Sequence, residues 1–295
     1  MHLFKHERYT RLQNKMDLLT VVYRDELELL KTQAYSIAYY FLDEIQNIYV
    51  ILNDDTLTHS DIDTLWWGYH HDKLRIFHRN EFGYYPKEHL TGWYTQQVCK
   101  ILGTAHAESK WCMILDAKTW FVRPFEIEEV FDQYNRAHFA SWPCTSPHWQ
   151  SGLEFLKQKY NITNFNWISP AGVPFVAHTH SMRDMVASEP NYVEWFESNC
   201  QFPSKVTPNT HGITEFLCYS AWISKNTLFD DLYSGKQKIG VHHIADYEVD
   251  TFHNWFFNLQ KDHTALTASV HPRAYKLLDV DQRKAWDDFV KERII

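Results

Sequence analysis

The sequence predicts an α/β protein built on an open, mostly parallel sheet with helices on both faces. Three observations carry that expectation. Short apolar, β-branched runs recur through the first 125 residues, each stops abruptly at polar or charged residues, and stretches with apolar residues at helical spacing separate them. A β-α-β-α-β order of this kind calls for right-handed crossovers between parallel strands, with the helices packed over the sheet.

Taken in order, "MDLLTVVYRDE" (16–26) is the first buried strand, and "LELLKTQAYSIAYYFL" is the helix that follows it. "IQNIYVILNDD" (45–55) is a second strand ending in carboxylates, and "DKLRIFHRNEF" (72–82) is a third. "GWYTQQVCKILGTAHA" (92–107) reads as a helix starting after Gly92, and "KWCMILDA" as the fourth strand. The second half is less regular. "FASWPCTSPHWQSG" (139–152) is a loop, Val173 to Ala177 is an apolar strand before a helix, and Thr214 and Glu215 open an amphipathic helix. "KIGVHHIAD" and "ALTASVHPRAY" are late strands ending in His.

Composition narrows the function classes. With 44% hydrophobic residues the chain can bury a large core, and its 12 Trp and 17 Tyr exceed what a core needs, which suits a groove that stacks sugars or bases. A formal charge of −8 repels a phosphate backbone, so a broad nucleic-acid face is not expected. Five Cys without a CxxC pair fit a reducing compartment. "MHLFKHERYTRLQNK" lacks the apolar core of a signal peptide and no run reaches membrane-span length, so the expectation is a soluble, cytoplasmic protein. Neither GxGxxG nor a P-loop occurs among only nine Gly, which disfavours dinucleotide and P-loop enzymes.

Open α/β sheets bind ligands at the carboxyl ends of their strands. Here those ends read Tyr23-Arg24-Asp25, Asn53-Asp54-Asp55 and Asp116-Ala117-Lys118. A carboxylate at such a tip can hold a hard divalent cation, and a lysine can neutralise a phosphate directly. Literal Asp-x-Asp triplets lie elsewhere, at Asp61-Ile62-Asp63 and Asp279-Val280-Asp281. Both read as helix starts, the first with Ser60 or Asp61 as cap.

"LLTVVYRDE", "NIYVILNDD", "GWYTQQVCKIL" and "WCMILDAKTWFVRPF" together resemble the GT-A fold glycosyltransferases, in particular GT-A-like proteins of bacterial and phage genomes. The likeness covers most of the chain. It implies a Rossmann-like single domain over residues 1–295, with 16–125 binding a nucleotide sugar and 126–295 the acceptor. It implies transfer of a sugar, a hexose from a UDP-sugar above all, to a carbohydrate or small hydroxylated acceptor, assisted by Mn²⁺ or Mg²⁺. In that family the fourth strand ends Asp-x-Asp; here Asp116, Phe121, Val122 and Pro124 match, but Lys118 replaces the second Asp.

By position, the resemblance implies that Val22, Tyr23 and Arg24 meet base and ribose, that Asp54 bonds one of them, and that Gln97, Lys100 and Lys118 face the donor. Asp116 would hold the metal together with a late His, His271 in preference to His243. Glu215 would face the acceptor and, in an inverting enzyme, act as general base. Two other readings stand beside this one. The first is a GT-A-like module that binds a nucleotide or glycan without turning it over, because of Lys118. The second is a metal-dependent hydrolase, for which His178-Thr179-His180 is the sole HxH and lacks an acidic neighbour cluster.

Overall fold

A computed structural model describes residues 15–139, 142–143, 147–163, 167–168, 172–202, 205, 209–226, 228–235 and 240–294. The first fourteen residues and Cys144 lie outside that set; the other four cysteines are buried and unpaired. No helix among the described residues is long and apolar enough to cross a membrane.

The first half contains β1 (Met16–Val22), α1 (Leu27–Tyr40), β2 (Ile45–Leu52), β3 (Leu74–His78), α2 (Gly92–His106), β4 (Trp111–Asp116) and the short β5 (Trp120–Phe121). There follow β6 (Ala137–His138), β7 (Trp142–Pro143), α3 (Pro147–Tyr160), β8 (Trp167–Ile168), β9 (Phe175–His178), α4 (Thr179–Ala187), α5 (Tyr192–Asn199) and α6 (Glu215–Lys225). The chain closes with α7 (Phe229–Leu232), β10 (Tyr233–Ser234), β11 (Gly240–Ile244), α8 (Phe252–Lys261), β12 (Ala265–Val270), α9 (Pro272–Leu277) and α10 (Val280–Ile294).

The central sheet has the order β3-β2-β1-β4-β9, parallel except for β9. Every residue of β1 is buried and only Gln46 of β2 is exposed, which is why both read as unbroken apolar runs. Register aligns Val22 with Leu52 and Val21 with Asp116, so these three strands end along one edge.

Successive strand residues face opposite sides, and this assigns the helices to the two faces. A Cβ on Gly103 of α2 would lie 2.3 Å from Ile51 Cδ1 and 2.6 Å from Leu19 Cδ1, so α2 lies tight against the Leu19 face. On the other face Thr20 Oγ1 donates to Gln33 Oε1 of α1 at 2.7 Å. Asp116 pairs with Val21, two residues along from Leu19, and therefore faces α2.

Some boundaries differ from the sequence reading. Residues 147–152 are helical rather than loop, because a proline at 147 is well suited to the first turn of α3. The strand expected from Val173 begins at Phe175. The Asp61 triplet is capped differently: Asp61 accepts the Thr58 N–H at 2.8 Å and Asp63 accepts the Leu65 N–H at 3.0 Å, so Asp63, not Ser60 or Asp61, caps the turn that follows.

A second sheet, β11-β12-β5, is joined to the first by the chain that leaves β4. β5 pairs antiparallel with β12, and Trp120 on it stacks on Trp286 of α10 at 5.2 Å. At the opposite end of the central sheet, Asp17 is fully buried. It accepts from Asn47 N and Nδ2 (both 3.1 Å) and from Ser109 N and Oγ (2.7 and 2.9 Å), tying β1 to β2 and to the turn before β4. Asp17→Ala strands four donors, two of them backbone N–H groups. Urea unfolding should show a loss of about 3 kcal/mol or more, with Asp17→Asn costing less because its amide oxygen still accepts. A loss near zero in the alanine variant would remove this residue from the list of anchors.

Candidate functional site

β4 stops at Asp116 because the chain turns there: Thr119 N donates to Asp116 O at 2.8 Å. Gln33 Nε2 donates to both Asp116 O (2.6 Å) and Thr119 O (2.9 Å), which locks the turn against α1. The turn folds Lys118 back, and its Nζ donates to Asp116 Oδ2 at 2.8 Å. On α2, Lys100 sits one turn before Gly103 and so reaches the same face of the sheet. Its Nζ lies 2.7 Å from Asp116 Oδ1, an ion pair off the angle of a hydrogen bond, and donates to Glu215 Oε1 at 3.3 Å.

Glu215 is placed by the start of α6. Thr214 Oγ1 accepts the Leu217 N–H at 3.2 Å, as an N-cap does, and Gln97 Oε1 accepts the Glu215 N–H at 3.2 Å. The Gln97 amide also donates to Trp93 O, so this side chain bridges α2 and α6. The Lys100 ammonium stands 5.5 Å over the Phe216 ring. Lys100, Asp116, Lys118 and Glu215 thus form one continuous charged chain, with side-chain exposures of 5, 16, 16 and 5%.

Its electrostatics follow from that geometry. Burial alone would raise Asp116, but Lys100 and Lys118 outweigh it and hold the carboxyl far below the usual range. Burial alone would lower Lys100; Asp116 and Glu215 instead hold it well above an ordinary lysine. Burial raises Glu215, and Lys100 offsets this only in part. Burial also raises Glu26, just beyond β1, which lies in the field of Lys118, Asp116 and Lys100. Glu26 is the member that sequence reasoning missed. Its only signal was its place in the charged stop "YRDE".

The second sheet brings up the two late histidines. His243 shares a hydrogen bond with Ser269 Oγ at 2.7 Å, and burial, Lys118 and His271 push its imidazole down to about 4. His271 caps α9, its Nδ1 accepting from Arg273 N at 3.2 Å. Among the described residues no group of three His, Cys, Asp or Glu side chains could hold a metal ion. The donor set at Asp116 does not fit a divalent cation, since both carboxylate oxygens already lie 2.7–2.8 Å from ammonium groups.

The remaining expected residues form a separate rim. Val22 is fully buried, and its carbonyl accepts from Asn53 N. The Tyr23 hydroxyl bonds Gly92 O, Thr95 Oγ1 and Asn53 Nδ2, joining the ends of β1 and β2 to the start of α2. Asp54 accepts from Thr56 N and Oγ1 (2.8 and 2.7 Å) and from Arg24 N (3.3 Å). The Arg24 guanidinium bonds Thr56 and Asp61. These side chains close the loop after β2 and stand apart from the charged chain. His178 caps α4 beside Ser181 at the opposite end of the sheet, and His180 pairs with Asp184 at 3.5 Å. The HxH triplet is therefore remote from Asp116.

Lys100→Met would leave two buried carboxylates facing each other with one cation fewer, a loss of about 3–5 kcal/mol at pH 7.5. The sign of its pH dependence follows from Glu215. A folded pKa raised above 4.5 gives stability that is present below the unfolded pKa and lost as pH rises through the folded one. Without Lys100 that pKa climbs further, so the deficit in urea unfolding should be smaller at pH 5 than at pH 7.5. Equal deficits at both pH values would show that packing, not charge, accounts for the loss.

A crystal structure of the galactosyltransferase LgtC in complex with donor and acceptor sugar analogues is similar, with a TM-score of 0.50 and 11% sequence identity, over 95% of this chain and 97% of that one. The glycosyltransferase GlyE of Streptococcus pneumoniae TIGR4 aligns with a TM-score of 0.47 and 12% identity, over 94% of this chain and 60% of that one. At such identity the likeness to LgtC shows a common GT-A fold. No curated protein matches the chain. The model of DUF6492, a family of unknown function, matches residues 13–265, and the chain belongs to that family.

Proposed function

We propose that the protein is a glycosyltransferase that moves a sugar, a hexose, from a nucleoside-diphosphate donor, UDP-sugars first among the candidates, to a hydroxyl of a carbohydrate or small hydroxylated acceptor. In this reading residues 16–125 bind the donor and residues 126–295 the acceptor. The observation that carries it is the meeting of Asp116, Lys118, Lys100 and Glu215 at the carboxyl edge of a GT-A sheet, where open α/β folds keep their ligands.

In the reaction the bond between the anomeric carbon and the β-phosphate oxygen breaks, its electron pair leaving with the diphosphate. The acceptor oxygen bonds the same carbon, and its proton passes to a base. Lys118 neutralises charge as it develops on the leaving group. Glu215, whose carboxyl burial raises towards working pH, takes the proton. Tyr23, Arg24 and Asp54 border the base and ribose, and Gln97 and Lys100 hold Glu215 in place. The pairing of Lys118 with Asp116 also suits a module that binds the donor without turning it over.

Hydrolysis and transfer measured across a panel of UDP-, GDP-, CDP- and ADP-sugars separate these two readings. For the preferred donor, Glu215→Gln should lower turnover by about 10²–10⁴-fold, the usual contribution of a general acid or base, with donor affinity little changed and a melting curve confirming that the variant folds. Nucleotide binding without turnover in the wild type would establish the binding module. An unchanged rate in the variant would remove Glu215 from the chemistry.

A further inference from the structure

Asp116 stands where the resemblance puts a metal ligand, yet its surroundings are those of an ammonium site. Lys118 Nζ donates to Oδ2 at 2.8 Å and Lys100 Nζ lies 2.7 Å from Oδ1. A divalent cation on either oxygen would have to share it with a positive charge at hydrogen-bond distance, and no third donor converges there among the described residues. Ligating histidines do not make up the difference. His243 bonds Ser269 and His271 bonds the first turn of α9, each through Nδ1, and neither joins Asp116 in a group of three donors among the described residues.

Lys118 has the chemistry to act in the metal's place. An ammonium carries three N–H donors, and Asp116 takes the one described bond of Lys118. Two donors remain for phosphate oxygens, on a side chain that is only 16% exposed and so weakly screened. Lys100 cannot do the same, because Asp116 and Glu215 hold it at 5% exposure. Its part is to keep Asp116 charged and oriented.

Resting on the glycosyl-transfer reading, we infer that this site binds the donor diphosphate without a divalent cation, through Lys118, and that Asp116 is a positioning residue for that ammonium rather than a metal ligand. The two charges at the tip of β4 then have distinct tasks. Asp116 fixes the direction of Lys118, and Lys118 meets the phosphate.

Calorimetric titration of UDP, GDP, CDP and ADP tests this on the wild type, Lys118→Ala, Lys118→Asp and Asp116→Asn, each in EDTA and in Mn²⁺, with melting curves confirming that every variant folds. At least one nucleotide should bind wild type with equal affinity in both buffers. Lys118→Ala should bind it roughly ten- to a hundredfold more weakly in both, the scale of a charge-assisted hydrogen bond. Asp116→Asn should weaken binding by the same factor with and without Mn²⁺, which a metal ligand would not do. Lys118→Asp, which rebuilds an Asp-x-Asp tip, should bind only with Mn²⁺. Wild-type binding that needs Mn²⁺, or a Lys118→Ala variant with unchanged affinity, overturns the inference and leaves glycosyl transfer standing. Failure of the wild type to bind any of the four in either buffer overturns that reading as well.

Discussion

A lysine buried to 5% exposure, with a carboxylate on each side of it, holds the site together. Lys100 comes from the helix over the sheet, Asp116 from the tip of β4, and Glu215 from the start of a helix about a hundred residues further along the chain. None of the three can be buried alone, because an unpaired charge in a low-dielectric interior is too costly. Each therefore fixes the other two. The helix over the sheet, the strand tip and α6 can adopt only those relative positions in which the ammonium meets both acids. The bond from Glu215 N to Gln97, one turn before Lys100, repeats the same tie with neutral groups.

Two ends of the sheet use carboxylates for opposite purposes. Asp17, at the amino ends of the strands, is saturated by four neutral donors and has nothing left to offer a ligand. Asp116, at the carboxyl ends, is met by ammonium groups, one of which keeps spare donors. The first arrangement secures connections between strands; the second gathers charge at the carboxyl edge of the sheet. The turn after Asp116 also starts the path to β5, so the second sheet and its histidines are hung on the same few residues.

Likeness to LgtC in fold extends over nearly the whole of both chains, but a fold hosts many activities and function resides in the site. At the tip of β4 in this chain a lysine, Lys118, stands two residues after Asp116. The turn brings its ammonium onto the carboxylate itself. The rim residues Tyr23, Arg24 and Asp54 are engaged with one another's loops, which gives the edge beyond β1 and β2 a definite shape.

The amino-acid sequence makes β1, β2 and β4 legible, since a parallel strand buried on both faces must read as an unbroken apolar run, and it marks Thr214 and Glu215 as a helix start, since capping is local chemistry. It also marks the carboxyl edge where the charges gather, because polar residues can follow such strands only where they leave the core. Short elements such as β5 and the start of α3 were not legible, as two-residue strands and a proline-led first turn carry no periodicity. Which charges meet depends on packing between elements far apart in the chain. Lys100 reaches Asp116 because α2 lies on the Val21 face with Gly103 pressed to the sheet, and no spacing along the chain encodes that. Glu26 and His243 come into the field of Lys118 and Asp116 for the same reason. Their positions follow from crossovers and sheet register, which join residues far apart in sequence through packing that no local pattern records.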